Sequence, residues 1–324
     1  VLTSEIIRAA IPHVLTEACF PELPNYYRGK VRENYDLANG SRILISTDRQ
    51  SAFDQVLAAV PFKGQLLTQT ARFWFEATDD ICANHVLDYP DPNVVIGRRL
   101  TMLPVEMVVR DYLTGSTDTA VWPMYRDGRR EVYGITLPDG LSKNDKLPDT
   151  ILTPTTKALA GGHDAPITVA EILASGLLSQ HQWDEIADLS LALFARGRKI
   201  ADQRGLILVD TKFEFGLDEN GKITLADEIL TPDSSRYWQT ASYRDRLAKG
   251  QEPESLDKEF LRLWIAARCD PYTQPIPAIP DDTLVEFGKK YIDLFEAITG
   301  QSFSAPPTDE PIKQRIRRNL AAFF

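Results

Sequence analysis

Carboxylates and cations fall in a chemically suggestive order between residues 206 and 238, LILVDTKFEFGLDENGKITLADEILTPDSSRYW. After an apolar run, Asp210, Lys212 and Glu214 alternate with Thr211, Phe213 and Phe215. That is the two-residue period of a strand with one polar and one apolar face. Asn220-Gly221 is a hairpin signal, because a type I′ turn needs positive φ at both central residues. With those two as the loop, Glu219 pairs with Lys222, and Glu214 lies directly opposite Asp227. Opposed Cβ atoms sit about 4.5–5.5 Å apart, where like charges repel. Two carboxylates flanked by Phe213 and Phe215 need a cation. Oxygen ligands of this kind suit Mg²⁺, which takes one or two carboxylates plus substrate phosphates. The alternative is a solvated hairpin whose acids face water, and a bulge at Gly216 would shift the pairing.

Four further stretches carry chemistry-bearing residues. In YRGKVR (27–32), Gly29 lets backbone approach a ligand, and Lys30 and Arg32 share one strand face. The pair could cover a polyphosphate, as glycine-containing strand loops do in kinases. No GxxxxGK[ST] motif is present, and a plain basic hairpin has the same spacing. In STDRQSAFD (46–54), Ser51 and Asp54 stand where small polar residues crowd a strand end, a setting shared by ligand sites and ordinary turns. Arg110, followed by Gly115 and Ser116, offers guanidinium, backbone N–H and hydroxyl to a phosphate, or else an arginine in an ion pair. Arg236, in PDSSRYW, places a second arginine just past the acidic hairpin. Lys157 in PTTKA and the His163-Asp164 loop are weaker candidates.

These residues need strands and helices to hold them. Short strands are expected around Gly29 and over residues 42–48, then a helix from Gln65 to Ala77. The stretch 94–113 is strand-rich, with a break at Pro104. Residues 136–167 read as surface loop. Thr168 and Glu171 form a capping box, and a long helix runs from Gln182 to Gln203, stopping at Gly205. Further helices are expected over 253–268 and from Thr283 to Thr299, the latter with a Thr283/Glu286 box. The basic tail, with Lys313, Arg315, Arg317 and Arg318, reads as a solvated helix end.

The 324 residues allow one large or two ordinary domains, and 43% hydrophobic content is ordinary for a globular chain. A net charge of −10 argues against a general nucleic-acid or membrane-surface binder, so any anionic ligand must be held by a local basic cluster. Cys19, Cys82 and Cys269 lie far apart, consistent with a reducing compartment and no disulfide framework. The opening VLTSEIIRAAIPHVL lacks the pattern of a signal peptide, and no window approaches the roughly 18 apolar residues of a membrane span.

The ordered set RGKVR, STDRQSAFD, VVRDYLTGS, TPTTKA, LVDTKFEFG and ADEILTPDSSRYW resembles the SAICAR synthetases (phosphoribosylaminoimidazole-succinocarboxamide synthases) of purine biosynthesis. The likeness runs from about Tyr26 to Trp264, and the loop and C-terminal extension resemble the longer, fungal-like form. Leu159 and Ala165 stand where the family often carries acids, and Asp111 replaces a usual glycine. The resemblance implies an α+β fold: a small β-rich domain (1–103), a larger mixed domain (104–324), and ATP in the cleft between them, distantly kinase-like. It implies ATP-dependent joining of L-aspartate to carboxyaminoimidazole ribonucleotide through an acyl phosphate, with Mg²⁺. By the same resemblance, Lys30 and Arg32 contact ATP phosphates, and Met102 and Leu103 hold adenine, largely through backbone. Glu214 and Asp227 bind Mg²⁺. Lys212 and Asp210 line the reacting site as catalytic residues. Arg110, Ser116 and Arg236 hold the 5′-phosphate, and Ser51 and Asp54 contact ribonucleotide or aspartate. The expected protein is cytoplasmic, a monomer or small homo-oligomer, with small-molecule partners and neither nucleic acid nor membrane. The same ATP and metal groups would also serve a small-molecule kinase, or a nucleotide-binding module without catalysis.

Overall fold

A computed structural model describes residues 2–53, 55–157, 164–307 and 309–324. Asp54, Leu159 and His163, singled out above, lie outside the described residues. The chain begins with α1 (Ser4–Ala10). Strands β1 (Tyr26–Arg28) and β2 (Arg32–Asp36) flank Gly29, and β3 (Ser41–Ser46) follows the turn at Gly40, where φ is +80°. A separate hairpin, β4 (Arg49–Ala52) and β5 (Gln55–Ala59), leads to α2 (Lys63–Ala77). With β6 (Val86–Asp91) and β7 (Val94–Arg98), a five-stranded sheet forms in the order β1-β2-β3-β7-β6.

The chain changes sheet between Arg98 and Thr101. Strand β8 (Thr101–Tyr112) runs straight through Pro104, where a break was expected. A proline cannot donate to a ladder. The strand accommodates it in a bulge, where the pairing with its neighbour jumps between Met102 and Glu106. Then come α3 (Val121–Arg126), β9 (Glu131–Val132), β10 (Ile135–Thr136), β11 (Lys146–Leu152), β12 (Thr155–Thr156) and β13 (Ala165–Pro166). The segment expected as surface loop is thus partly sheet, with β11 and β12 both pairing with β8.

Helix α4 (Val169–Ala174) carries the Thr168/Glu171 capping box. Helix α5 (Gln180–Gln203) has its own box at Ser179/Gln182, which starts it two residues before the expected Gln182. Strands β14 (Leu206–Leu217), β15 (Ile223–Ala226) and β16 (Ser235–Gln239) complete the second sheet, in which β14 lies between β8 and β15. Helices α6 (Thr240–Ala248), α7 (Glu259–Ala266), α8 (Asp281–Thr299) and α9 (Ile312–Asn319) follow.

Three helix expectations need correction. Helix α7 is much shorter than 253–268, because Asp257 spends its carboxylate on the Tyr237 and Glu259 amides and the Ser255 hydroxyl. Such local bonds compete with helix. The Thr283/Glu286 box does not form; α8 starts after Pro280, with Asp281 and Asp282 in its first turn to meet the helix dipole. The basic tail is not simply solvated: Arg315 pairs with buried Asp91 at 2.9 Å, and Ile316 is fully buried beside Ile43 and Ile45.

The apolar face of β14 packs Phe213 and Phe215 against Ile186, Leu193 and Phe194 of α5. Helix α8 packs Phe287, Tyr291 and Phe295 with Ile7 of α1 and Leu66 of α2. The two sheets are stitched by residues 83–86. Asn84 bridges Leu225, the His85 amide donates to the Leu225 carbonyl at 3.0 Å, and Val86 pairs with Gly97.

Candidate active site

Strand alternation delivers the expected face. Asp210, Lys212 and Glu214 point away from the core that holds Phe213 and Phe215, both fully buried. The hairpin register, however, is one residue off. Glu214 pairs with Ala226, not Asp227. The turn explains the slip. Asp218 Oδ1 accepts from the amides of Asn220 and Lys222, and of the Asn220-Gly221 pair only Gly221 has positive φ, at +76°. The loop therefore closes over three residues rather than two. Asp227 comes after the strand, with φ +60°.

A carboxylate pair forced together by register does exist, on the other side of β14. Glu214 is paired with Glu106 of β8. Lys212 Nζ bridges them, at 2.7 Å from Glu106 and 2.6 Å from Glu214, and Lys157 reaches the second Glu214 oxygen at 2.5 Å. Burial alone would raise the Glu214 carboxyl, but Lys212 and Lys157 outweigh it and hold the group well below the usual carboxylate range. Glu106 lacks the second lysine, and burial pushes it up. Sequence reading missed Glu106. The signal was available, since Glu106, Val108 and Arg110 alternate on β8 as Asp210, Lys212 and Glu214 do on β14.

Asp210 is the anchor of the neighbouring cavity. Its Oδ2 accepts from Arg110 at 3.0 Å and from Arg236 at 2.5 Å. Arg110 is fully committed, with Nε on Thr153 and its remaining nitrogen on the Thr119 carbonyl. It has the ion-pair form that its sequence allowed. Ser116 and Arg236 converge on Glu259 of α7: Ser116 Oγ donates at 3.0 Å, and Arg236 approaches at 3.4 Å. Arg262 joins the same carboxylate at 3.2 Å. Burial opposes ionisation of Glu259, yet Arg236 and Arg262 bring it down to about 2. The cavity is lined by Arg110, Lys212, Asp233, Arg236, Lys258 and Arg262, among others. Lys258 and Arg262 escaped sequence reading, since they sit at i and i+4 of a segment read only for its apolar face. Burial, then Arg262 alongside, pushes the Lys258 ammonium down to about 8.

A second cavity opens between the two sheets. Asn34, Arg42 and Leu44 line it from the first sheet, Met102 and Glu214 from the second, and Asp227 from just beyond β15. Leu103 points the other way, into the core. Arg32 crosses from β2 to pair with Asp227 and, at 3.0 Å, with Glu228. Lys30 is exposed, and its carbonyl accepts from Arg49. Ser51 is half-buried on β4 and lines neither cavity. Asp111 faces α5, where Arg198 meets it at 2.8 Å. Among the described residues, no three His, Cys, Asp or Glu side chains converge as a ready-made metal site, and no helix is long and apolar enough to cross a membrane.

Comparison with known proteins points one way. The family model described as SAICAR synthetase matches residues 25–279. A Mesorhizobium japonicum protein, provisionally named phosphoribosylaminoimidazole-succinocarboxamide synthase 2, is 60% identical over 310 residues, covering 96% of this chain and 99% of the relative. The phosphoribosylaminoimidazole-succinocarboxamide synthase of Legionella pneumophila is 50% identical over 311 residues, covering 96% and 98%. Among solved structures, the Saccharomyces cerevisiae SAICAR synthase complexed with SAICAR superposes with a TM-score of 0.77 at 32% identity, covering 90% of this chain and 99% of that one. A SAICAR synthetase in complex with ADP gives 0.67 at 25% identity, covering 86% and 100%. The chain belongs to the SAICAR synthetase family.

Proposed function

We propose that Lys212 and Glu214 mark the point where two bound substrates meet. Lys212 lines the arginine-rich cavity, Glu214 lines the cavity between the sheets, and the two side chains stand on one strand face, 2.6 Å apart. This adjacency carries the reading. The reaction is the ATP-dependent joining of L-aspartate to the carboxylate of carboxyaminoimidazole ribonucleotide, giving SAICAR, ADP and phosphate. A carboxylate is a poor electrophile, because its charge repels an amine and oxide leaves badly. Its oxygen therefore attacks the γ-phosphorus, ADP departs, and the acyl phosphate is attacked by the aspartate amine, which loses a proton as phosphate leaves. The protein's task is positioning and charge neutralisation.

In this reading ATP lies between the proposed domains, 1–103 and 104–324, with Met102 beside the base and Arg32 and Lys30 near the phosphates. The ribonucleotide phosphate meets Ser116, Arg236 and Arg262, with Arg110 holding Asp210 in place. Lys258 is a further cation for an anionic group. Glu214 and Asp227 line one cavity with hard oxygen donors, so they fit Mg²⁺ completed by substrate phosphates. Bound there, the ion would neutralise phosphate charge during transfer. Arg32 and the two lysines occupy those carboxylates otherwise, so nucleotide phosphate would draw the cations and free the oxygens. The free cysteines support a reducing, cytoplasmic setting.

ADP release measured with each substrate omitted tests the assignment. Release should require both the carboxylated ribonucleotide and aspartate. Release that ignores aspartate would point instead to simple phosphorylation, as in a small-molecule kinase.

A further inference from the structure

Asp227 is gripped through its backbone as well as its carboxylate. Its φ of +60° is left-handed, a region that among residues with a side chain Asp and Asn visit most readily, so the turn is held by what its backbone bonds. The Asp227 carbonyl lies 3.2 Å from Nε2 of His85. A carbonyl only accepts, so Nε2 carries the proton. The histidine itself is rigidly placed. It is 4% exposed, its amide donates to Leu225, and its carbonyl accepts from the Arg98 amide at 2.7 Å. Its ring packs edge-on against Phe75 at 5.6 Å. Gly97 makes room for it, since a Cβ there would stand 2.4 Å from Nδ1.

We propose that His85 is a positioning residue for the metal-binding Asp227: its Nε2–H holds the Asp227 carbonyl and fixes the left-handed turn that aims the carboxylate into the nucleotide cavity. This rests on the assignment of Asp227 as a metal ligand. His85 sits on the strap joining the sheets, so the device also sets the ligand's distance from the strands of the first sheet. Groups that orient a ligand without touching the metal are commonly worth 10–100-fold in metal affinity.

Calorimetric titration of the full chain with ADP, with and without Mg²⁺, provides the test on His85→Phe, His85→Gln and Asp227→Asn. His85→Phe should raise the Mg²⁺ concentration needed to tighten ADP binding by about 10-fold or more. Metal-free ADP affinity should stay within about twofold, and His85→Gln, which retains an N–H donor, should recover most of the loss. If Asp227→Asn shifts the Mg²⁺ requirement and His85→Phe does not, the inference is overturned. Equal weakening of metal-free and Mg²⁺-bound ADP in His85→Phe also overturns it, since that marks a merely structural role. An unchanged Mg²⁺ requirement in Asp227→Asn overturns the metal assignment itself, and the positioning role with it.

Discussion

Glu214 has neither oxygen free: Lys212 holds one and Lys157 the other. Glu214→Gln should therefore do two things. It should abolish metal-dependent turnover, and it should cost about 1–3 kcal/mol of stability, because two ammonium groups lose a charged partner. Urea unfolding beside an activity assay separates the two, and full activity at low Mg²⁺ would refute the metal role. Arg236 shares each of its two carboxylates with a second arginine, Asp210 with Arg110 and Glu259 with Arg262. Asp210 keeps Arg110 when Arg236 is truncated, so Arg236→Ala should fold. It should raise KM for the ribonucleotide roughly 10- to 100-fold, the value of a charge-assisted bond of about 1.5–3 kcal/mol. KM for ATP should barely move; equal effects on both would misplace the phosphate.

At the scale of elements, a buried triad joins helices far apart in sequence to the arginine-rich cavity. Lys63 from the start of α2 donates to Asp233 at 2.7 Å, and Tyr291 from α8 donates to its other oxygen at 2.6 Å. Lys63 is completely buried. Lys63→Met should thus cost about 3–5 kcal/mol, since it leaves Asp233 charged, buried and short of its cation. Tyr291→Phe, removing one hydrogen bond to a charged group, should cost about 1.5–3 kcal/mol. Denaturant unfolding of both variants checks the order; a larger loss for Tyr291→Phe would contradict it. None of this was legible from periodicity. The apolar stripe of α8 announced a buried helix, but its burial against α1 and α2 depends on which surface the intervening chain leaves uncovered.

At the scale of the whole molecule, three buried acids held below their ordinary range tie stability to acid pH. Asp233 is brought down to about 2 by Lys63, Lys258 and Tyr291 against the opposing effect of burial, Glu259 also stands at about 2, and Glu214 lies well below its ordinary range. In the unfolded chain such groups titrate near 4. Below that, the unfolded state binds more protons than the folded one, so the stability these acids contribute is complete above about pH 4.5 and is lost as pH falls toward 2. Urea midpoints at pH 7, 4.5, 3.5 and 2.5 should show the loss concentrated below 4.5. The drop should be smaller in Glu259→Gln, whose carboxylate no longer takes part. A parallel curve for variant and wild type would show that the arginines around Glu259 add nothing to folding.

What residue order alone determined was local. Alternation put Asp210, Lys212 and Glu214 on one face, a capping box opened α4 and Gly205 followed the end of α5, and the string of motifs carried the family. What the tertiary structure decided was pairing. An Asn-Gly turn suggested Glu214 opposite Asp227, but Asp218 drew the Asn220 and Lys222 amides and moved the register by one. Glu106 became the real partner, because β8 lies on the other side of β14. Arg262 and Glu259 joined Ser116 and Arg236 only when α7 folded over the strands. Side-chain direction along a strand follows from bond geometry between neighbours. The hairpin register turned on one side chain within the turn itself, whereas the Glu106 and Ser116 contacts join segments more than a hundred residues apart, and nothing in local spacing encodes that those will meet.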